Sequence, residues 1–241
     1  TPLAFAGRLR IYAEKCRVST QVHLAHLKKN NRDDPLARDV LPALEGIEER
    51  IESFIQQEVA THPVWLEWCG PHLVGSKPVK VRGVGMMNLG AIMSRVDIDR
   101  ITTVSKMWAH FGYAPGQKRI KGQKLDFDFT GRVWCFRLAD GLLKANGIFK
   151  EVYNQRKAYE IERLKQTGIR YLPAARIKKG DTTAMSEGQV HMRAMRYMMK
   201  TFLACLALKW RESIGKPLAP VYAVEKLGHQ HMYYPEQFVD D

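Results

Sequence analysis

The fold is decided by the stretch Lys77-Pro78-Val79-Lys80-Val81-Arg82-Gly83-Val84-Gly85-Met86-Met87-Asn88-Leu89-Gly90-Ala91-Ile92. Glycine adopts positive φ without a steric cost, so Gly83 and Gly85 predict a tight hairpin between two elements. The apolar residues after the glycines recur at three- and four-residue steps, as they do in a packed helix. The stretch therefore predicts a hairpin that leads directly into a helix.

A hairpin of this kind suits a phosphate group. Its backbone N–H groups would lie beside the free N–H groups and the positive dipole end of the following helix. Lys77, Lys80 and Arg82 add side-chain charge at the same place. This is the sequence form of a helix-hairpin-helix, a clamp on the nucleic-acid backbone that does not read base sequence. The alternative is a plain glycine turn between two packed helices, because a single Gly-x-Gly pair is a weak motif.

The composition favours a polyanion as partner. The 241 residues contain 38 Lys and Arg against 25 Asp and Glu, which gives a net charge of +13. Such an excess is typical of proteins that bind nucleic acid, although a generally basic protein is the alternative. No run of about eighteen apolar residues is present, so no membrane span is predicted. The four cysteines lack a closely spaced pair, which is typical of a reducing compartment. We therefore expect a cytoplasmic, nucleoid-associated protein.

Apolar periodicity predicts a mainly α-helical protein with an arm at its start. Helices are expected over 7–29 and 35–61, and the short turn between them indicates an antiparallel hairpin or a coiled coil. This arm would carry a homo-oligomer. The predicted domains are the arm at 1–63, a helix-hairpin-helix domain at 64–148, and a helical extension at 149–241. Further predicted elements are helices over 105–112, 131–146, 149–166 and 186–213, a short strand or extended segment over 125–130, and an exposed loop over 170–185.

Three further groups of cations are candidates for contacts with phosphates. They are Lys118, Arg119, Lys121 and Lys124 in one loop; Arg176, Lys178 and Lys179 in a second; and Arg193, Arg196 and Lys200 in the last long helix. The members of the third group are three and four residues apart, so one helix face would carry all three cations.

Catalytic candidates lie in one short segment. Asp126 and Asp128 alternate on the predicted extended segment, so their carboxylates would share a face. Paired carboxylates could hold Mg²⁺ for phosphodiester hydrolysis, whereas binding alone requires no cofactor. Thr130 supplies a hydroxyl close by. The alternative is that the two aspartates are solvated acids that balance Lys121 and Lys124.

The last part of the chain is predicted to be irregular, because it contains three prolines and several tyrosines. His229 and His231 could form a metal or acid–base cluster with His191. Structural or surface roles are the alternative for these histidines, and no metal site is predicted.

The order of these pieces resembles the C-terminal half of the DEDD insertion-sequence transposases, the bridge-RNA-guided recombinases. The resemblance runs from about residue 8 to about residue 216. It is carried by the helical arm, Val81-Arg82-Gly83-Val84-Gly85, Asp97–Arg100, Trp108-Ala109-His110-Phe111-Gly112-Tyr113-Ala114-Pro115, the basic loop, and Phe136-Arg137-Leu138-Ala139. The resemblance implies a DNA-handling architecture, DNA as partner together with guide or structured RNA, and a role in recombination or mobile-element biology.

The chain departs from that family at its catalytic positions. In the family an RNase-H-like domain with four acidic residues precedes the arm, and residues 1–241 contain no such domain. The family also places a nucleophilic serine after its Gly-x-x-Pro stretch, whereas residues 116–122 contain neither Ser nor Thr. Three functions therefore stay open: a DNA backbone-binding protein, an active recombinase or metal-dependent nuclease, and an RNA-binding or virion structural protein.

Overall fold

The structure, a computed structural model, describes residues 1–216 and 234–241. It is mainly helical, which confirms the mainly α-helical character predicted from the sequence. The helices are α1 (Pro2–Lys29), α2 (Pro35–Ala60), α3 (Met86–Met93), α4 (Val104–His110), α5 (Phe129–Lys144), α6 (Ile148–Gln166) and α7 (Glu187–Ser213). Two pairs of short strands accompany them: β1 (His72–Val74) with β2 (Lys77–Val79), and β3 (Arg170–Leu172) with β4 (Ala184–Ser186).

The chain forms two compact units. The first contains residues 1–62 and 86–96, and the second contains residues 63–85 and 97–241. The predicted end of the arm at residue 63 lies one residue beyond the first boundary. The predicted limit between residues 148 and 149 falls inside the second unit, at the start of α6. Another boundary falls between Gly85 and Met86, where the glycine stretch ends and α3 begins.

In the first unit, α1 and α2 pack side by side in opposite directions. Arg10, near the start of α1, forms ion pairs with Glu48 at 3.2 Å and Glu52 at 2.7 Å. His23, near the end of α1, lies 3.0 Å from the carboxylate of Asp34, which caps the start of α2. These pairs join the early part of one helix to the late part of the other.

Helix α3 packs closely on α2 within the same unit. A Cβ atom at Gly90 would lie 2.5 Å from the side chain of Ile55 and 2.9 Å from that of Val59. Both partners are fully buried, and so are Leu89 and Ile92 of α3. The apolar steps that predicted a helix after the glycines therefore mark its buried face.

The second unit is built around α7. Phe202 of α7 stacks on Trp68 at 5.3 Å between ring centroids and meets Phe149 of α6 at 5.5 Å. Phe149 in turn stacks on Phe238 at 5.2 Å. The indole N–H of Trp68 donates to the carbonyl of Pro235 at 3.0 Å. The segment 234–241 is thus part of the core of this unit.

Three segments differ from the sequence-based expectation. Residues 72–79 form an antiparallel ladder that pairs His72 with Val79, so a strand pair rather than a helix stands directly before Gly83. The predicted strand or extended segment over 125–130 takes part in no strand pairing in the described chain, and its last two residues, Phe129 and Thr130, are the first two of α5. The predicted loop over 170–185 contains β3 and β4, which pair in parallel.

Within residues 1–216 and 234–241, no helix combines the length and the apolar character that a membrane crossing requires. The four cysteines are all free. His229, His231 and most of the predicted irregular tail lie outside the described residues.

Candidate nucleic-acid interface

Helices α5, α6 and α7 bring six cations together on one surface of the second unit. We call this group the cationic cluster: Arg132 from α5, Arg156 and Arg163 from α6, and Arg193, Arg196 and Lys200 from α7. The α7 residues line the same cavity as the α6 residues, which places the predicted helical row opposite a second row of arginines.

Glu160 of α6 is the acid at the centre of the cluster. Its carboxylate, almost fully buried, lies 2.5 Å from Arg156, 3.2 Å from Arg193 and 4.0 Å from Arg163. Burial acts to raise the pKa of Glu160, but the nearby arginines outweigh burial and hold this pKa below its ordinary value. One carboxylate cannot neutralise three guanidinium groups, so this part of the surface stays positive.

Arg132 and Arg196 hold the chain segment that follows α4. Arg196 donates to the carbonyls of Ala114 at 3.1 Å and Gly112 at 3.4 Å, and Arg132 donates to the carbonyl of Gly112. Both guanidinium groups lie over the ring of Tyr113, at 5.5 and 5.1 Å from its centroid. Burial and the charge of Arg132 lower the pKa of Arg196. The fold therefore holds two cations close together against their mutual repulsion.

Lys200 adds a further positive charge beside Arg196 and Arg156. Its Nζ lies 4.0 Å from the ring centroid of Trp108, whose indole N–H donates to the Lys200 carbonyl at 2.9 Å. Burial, followed by the charges of Arg196 and Arg156, lowers the pKa of Lys200. In the described part of the chain, no carboxylate forms an ion pair with Lys200 or Arg196.

The first predicted loop begins at this cluster. Its cations Lys118, Arg119, Lys121 and Lys124 are all exposed. Gln117 ties the base of the loop to the carbonyl of Ala109 at 3.2 Å, directly after the segment that Arg132 and Arg196 hold. Arg119 lies over the ring of Phe129 at the start of α5, 5.5 Å from its centroid. The structure thus connects the first predicted group of cations to the third.

The second predicted group lies in the connection between the parallel strands β3 and β4. Arg176, Lys178 and Lys179 are exposed there. Asp181 holds the end of this connection, because it accepts a hydrogen bond from the Thr183 N–H at 2.8 Å and pairs with Arg170 at 2.9 Å.

The two glycines of the predicted hairpin have different roles. Gly83 has φ of +88°, and a Cβ atom there would lie 2.6 Å from the Gly141 carbonyl oxygen and 2.7 Å from the Leu142 Cα. Gly85 has no positive φ, and a Cβ atom there would meet no atom within 4 Å. The expectation that both glycines serve a tight hairpin is therefore met by Gly83 alone, which packs against the backbone of α5.

The hairpin already contacts a carboxylate of the chain itself. Asp240 accepts hydrogen bonds from the backbone N–H groups of Arg82 at 2.9 Å and Ile148 at 2.6 Å. The backbone of Asp240 pairs with that of Lys80, and the Arg82 guanidinium donates to the carbonyl of Asp241. The side chains of Lys77 and Lys80 point away from the core and are exposed. Arg82, which was predicted to contact a phosphate, is therefore already hydrogen-bonded within the chain. The cationic cluster is consequently the stronger candidate for a phosphate-binding surface.

The catalytic candidates lie beside the basic loop. Asp126 is exposed and accepts from Gln117 at 3.3 Å, while the Asp128 N–H donates to the His110 carbonyl at 2.8 Å. Thr130 is the second residue of α5 and is half-buried. In residues 1–216 and 234–241, no three His, Cys, Asp or Glu side chains lie together as a metal-binding set.

Three members of the cluster, Arg132, Arg156 and Arg163, and the acid at its centre, Glu160, were not predicted. Arg156, Glu160 and Arg163 are four and three residues apart, so the sequence carried a signal for one charged face on α6. Arg132 carries no comparable signal, because its place depends on how α5 packs against α7.

No protein-family model, curated protein or solved structure matches this chain.

Proposed function

We propose that the chain binds the phosphate backbone of nucleic acid, DNA in the first place, through the cationic cluster and the loop 116–124. The observation that carries this proposal is the placement of Lys200 and Arg196 beside other cations, with lowered pKa values and without a paired carboxylate. Such an arrangement costs folding free energy unless an anion relieves the repulsion. A polyanion with regularly spaced charges is the partner that fits six cations spread over three helices.

The proposed contact is to the backbone rather than to base edges. Arginine and lysine side chains that converge from several helices neutralise phosphates and release condensed counterions, which gives affinity without sequence information. The four exposed cations of the loop would extend the same contact.

The resemblance to the C-terminal half of the DEDD insertion-sequence transposases supports DNA, rather than another polyanion, as the partner. On this proposal the chain is a DNA-handling module in recombination or mobile-element biology, with guide or structured RNA as an additional partner. An active recombinase or an Mg²⁺-dependent nuclease that uses Asp126 and Asp128 is the competing function. An RNA-binding or virion structural protein is the third.

We also propose that the arm mediates self-association. Both of its helices expose aliphatic side chains on their surface: Val18, Val22, Leu36, Val40 and Ile47. Exposed apolar residues grouped on a two-helix arm are typical of a surface that another protein covers.

Binding assays with labelled duplex, four-way junction and structured RNA test this function over a salt series from about 50 to about 200 mM. Mg²⁺ is present, and the strands are inspected for cuts afterwards. We expect DNA binding that weakens steeply with salt and leaves the strands intact. Cleavage that is lost in Asp126→Ala would establish the enzyme instead, and a failure to bind any nucleic acid would contradict the proposal.

A further inference from the structure

Helix α5 exposes an apolar stripe outside the core. Phe129, Val133 and Phe136 are four and three residues apart and therefore lie along one face of the helix. Phe129 is 45% exposed and Phe136 is 47% exposed, whereas Trp134 and Leu138 on the other face are buried. The stripe is consequently not needed to fill the interior.

The stripe borders the cationic cluster. Phe136 and Met192 of α7, itself half exposed, line a cleft of about 240 Å³ whose other walls include Arg132, Arg193 and Arg196. At the other end of the stripe, the Arg119 guanidinium lies over the ring of Phe129. Each end of the stripe thus combines an accessible phenyl ring with nearby cations.

We infer that this stripe stacks on unpaired bases, so that the preferred partner is single-stranded nucleic acid or a structure with unpaired nucleotides. The inference rests on the proposed function, because the cluster supplies the phosphate contacts. In a duplex the faces of the bases are covered by their neighbours, so the phenyl rings would have nothing to stack on. Every unpaired base offers a flat face, and alternating cations and aromatic rings are the usual way to hold such a strand.

Charge favours this occupant over an apolar protein surface. A protein that covered the stripe would also cover the cations of the adjacent cleft and would have to supply acids for them. A nucleic-acid strand brings both the apolar base and the anionic phosphate with each nucleotide. Asp140 of α5 lies one helical turn beyond Phe136, and its carboxylate is already paired with Lys144 at 2.6 Å.

The test compares three labelled ligands of equal length: a single strand of mixed sequence, the matching duplex, and a single strand with abasic sites at its centre. The abasic strand keeps every phosphate and lacks the bases. We expect the intact strand to bind about tenfold more tightly than the abasic strand, since each stacked base contributes measurably to affinity. In Phe136→Ala this difference should shrink by most of its size, because binding of the intact strand weakens while binding of the abasic strand is unaffected.

Further variants separate stacking from folding. Phe136→Trp keeps a flat ring and should keep the preference for the intact strand, whereas Phe136→Leu keeps the apolar volume and should reduce that preference as much as Phe136→Ala does. Phe129→Ala should reduce it in part. Phe5→Ala is the matched control, because Phe5 is an exposed aromatic residue of α1; it should bind all three ligands as the unaltered chain does.

The results distinguish a failure of the stacking inference from a failure of the proposed function. Equal, salt-sensitive binding of intact and abasic strands would overturn the stacking inference and leave the proposed function in place. No binding of any strand would overturn both. If the unaltered chain self-associates in sedimentation and Phe136→Ala abolishes this self-association, the stripe is a protein interface and the stacking inference is overturned.

Discussion

The carboxylate of Asp240 accepts a hydrogen bond from the backbone N–H of Arg82 at 2.9 Å. A second bond, from the Ile148 N–H at 2.6 Å, places the same carboxylate at the start of α6, where the helix dipole favours a negative charge. One side chain therefore joins the glycine stretch, α6 and the segment 234–241.

Replacing Asp240 should destabilise the second unit. Asp240→Ala leaves two backbone donors without an acceptor and should lower the free energy of unfolding by about 1–2 kcal/mol, as the loss of a helix cap does. Urea denaturation measures the change. Asp241→Ala removes the neighbouring exposed acid and should have less effect. Equal effects of the two variants would show that the Asp240 hydrogen bonds do not hold this segment.

The two glycines should respond differently to alanine. Gly83→Ala places a methyl group against the backbone of α5 at a positive φ, so we expect a loss of more than about 2 kcal/mol in the free energy of unfolding. Gly85→Ala meets open space and should be neutral within about 0.5 kcal/mol. Thermal or urea denaturation of both variants provides the comparison. A tolerated Gly83→Ala would mean that the close approach to Gly141 is absent.

Lys200 should make stability depend on alkaline pH. Because its pKa in the folded chain is lowered from the ordinary value of 10.5, the unfolded chain binds more protons between the lowered value and the ordinary one. Stability should therefore rise with pH through that window. Denaturation at about pH 7 and about pH 10 should show this increment, and Lys200→Met should lack it.

The same variant separates stability from binding. Lys200→Met removes a charge that burial disfavours, so the unfolding free energy near neutral pH should change by less than about 1 kcal/mol while affinity for nucleic acid falls. Lys165→Met, at an exposed lysine of α6 that pairs with Glu162, is the control. Its stability should show the same alkaline increment as the unaltered chain. A large loss of stability in Lys200→Met would assign Lys200 to packing on Trp108.

The arm should lose self-association when its apolar surface is charged. Val22→Glu together with Val40→Glu introduces two charges at exposed positions of α1 and α2, so the fold is expected to survive while any oligomer dissociates. Sedimentation velocity across a concentration series detects the shift. Val74→Glu, at an exposed valine of β1, should leave the oligomer intact. A chain that is monomeric at every concentration would contradict the proposal.

The long helices could be predicted from the sequence because periodicity and caps agree there. The predicted helix over 186–213 corresponds to α7, which starts after a capping box formed by Ser186 and Gln189. The three-residue strands could not be predicted with the same certainty, because an alternating pattern cannot be recognised over three residues.

Sequence spacing grouped the cations of the loop 116–124 and one helical row, but it did not show which groups lie together. Arg193, Arg196 and Lys200 follow from their spacing along α7. Two contacts join residues far apart in the chain. Arg132 contacts the same segment as Arg196, and Asp240 accepts a hydrogen bond from Arg82. They depend on packing, which local sequence patterns do not encode.

The salt dependence of DNA binding, compared between two charge-removal variants, tests the central claim most directly. Arg193→Gln with Lys200→Gln alters the cationic cluster, and Lys77→Gln with Lys80→Gln removes the same charge from the exposed cations of β2 and the following residue. If the cluster is the interface, the slope of log affinity against log salt should become shallower by about 1 for each lost phosphate contact in the first variant only. An unchanged slope in the first variant, with a shallower slope in the second, would place the interface at the glycine stretch and contradict the account.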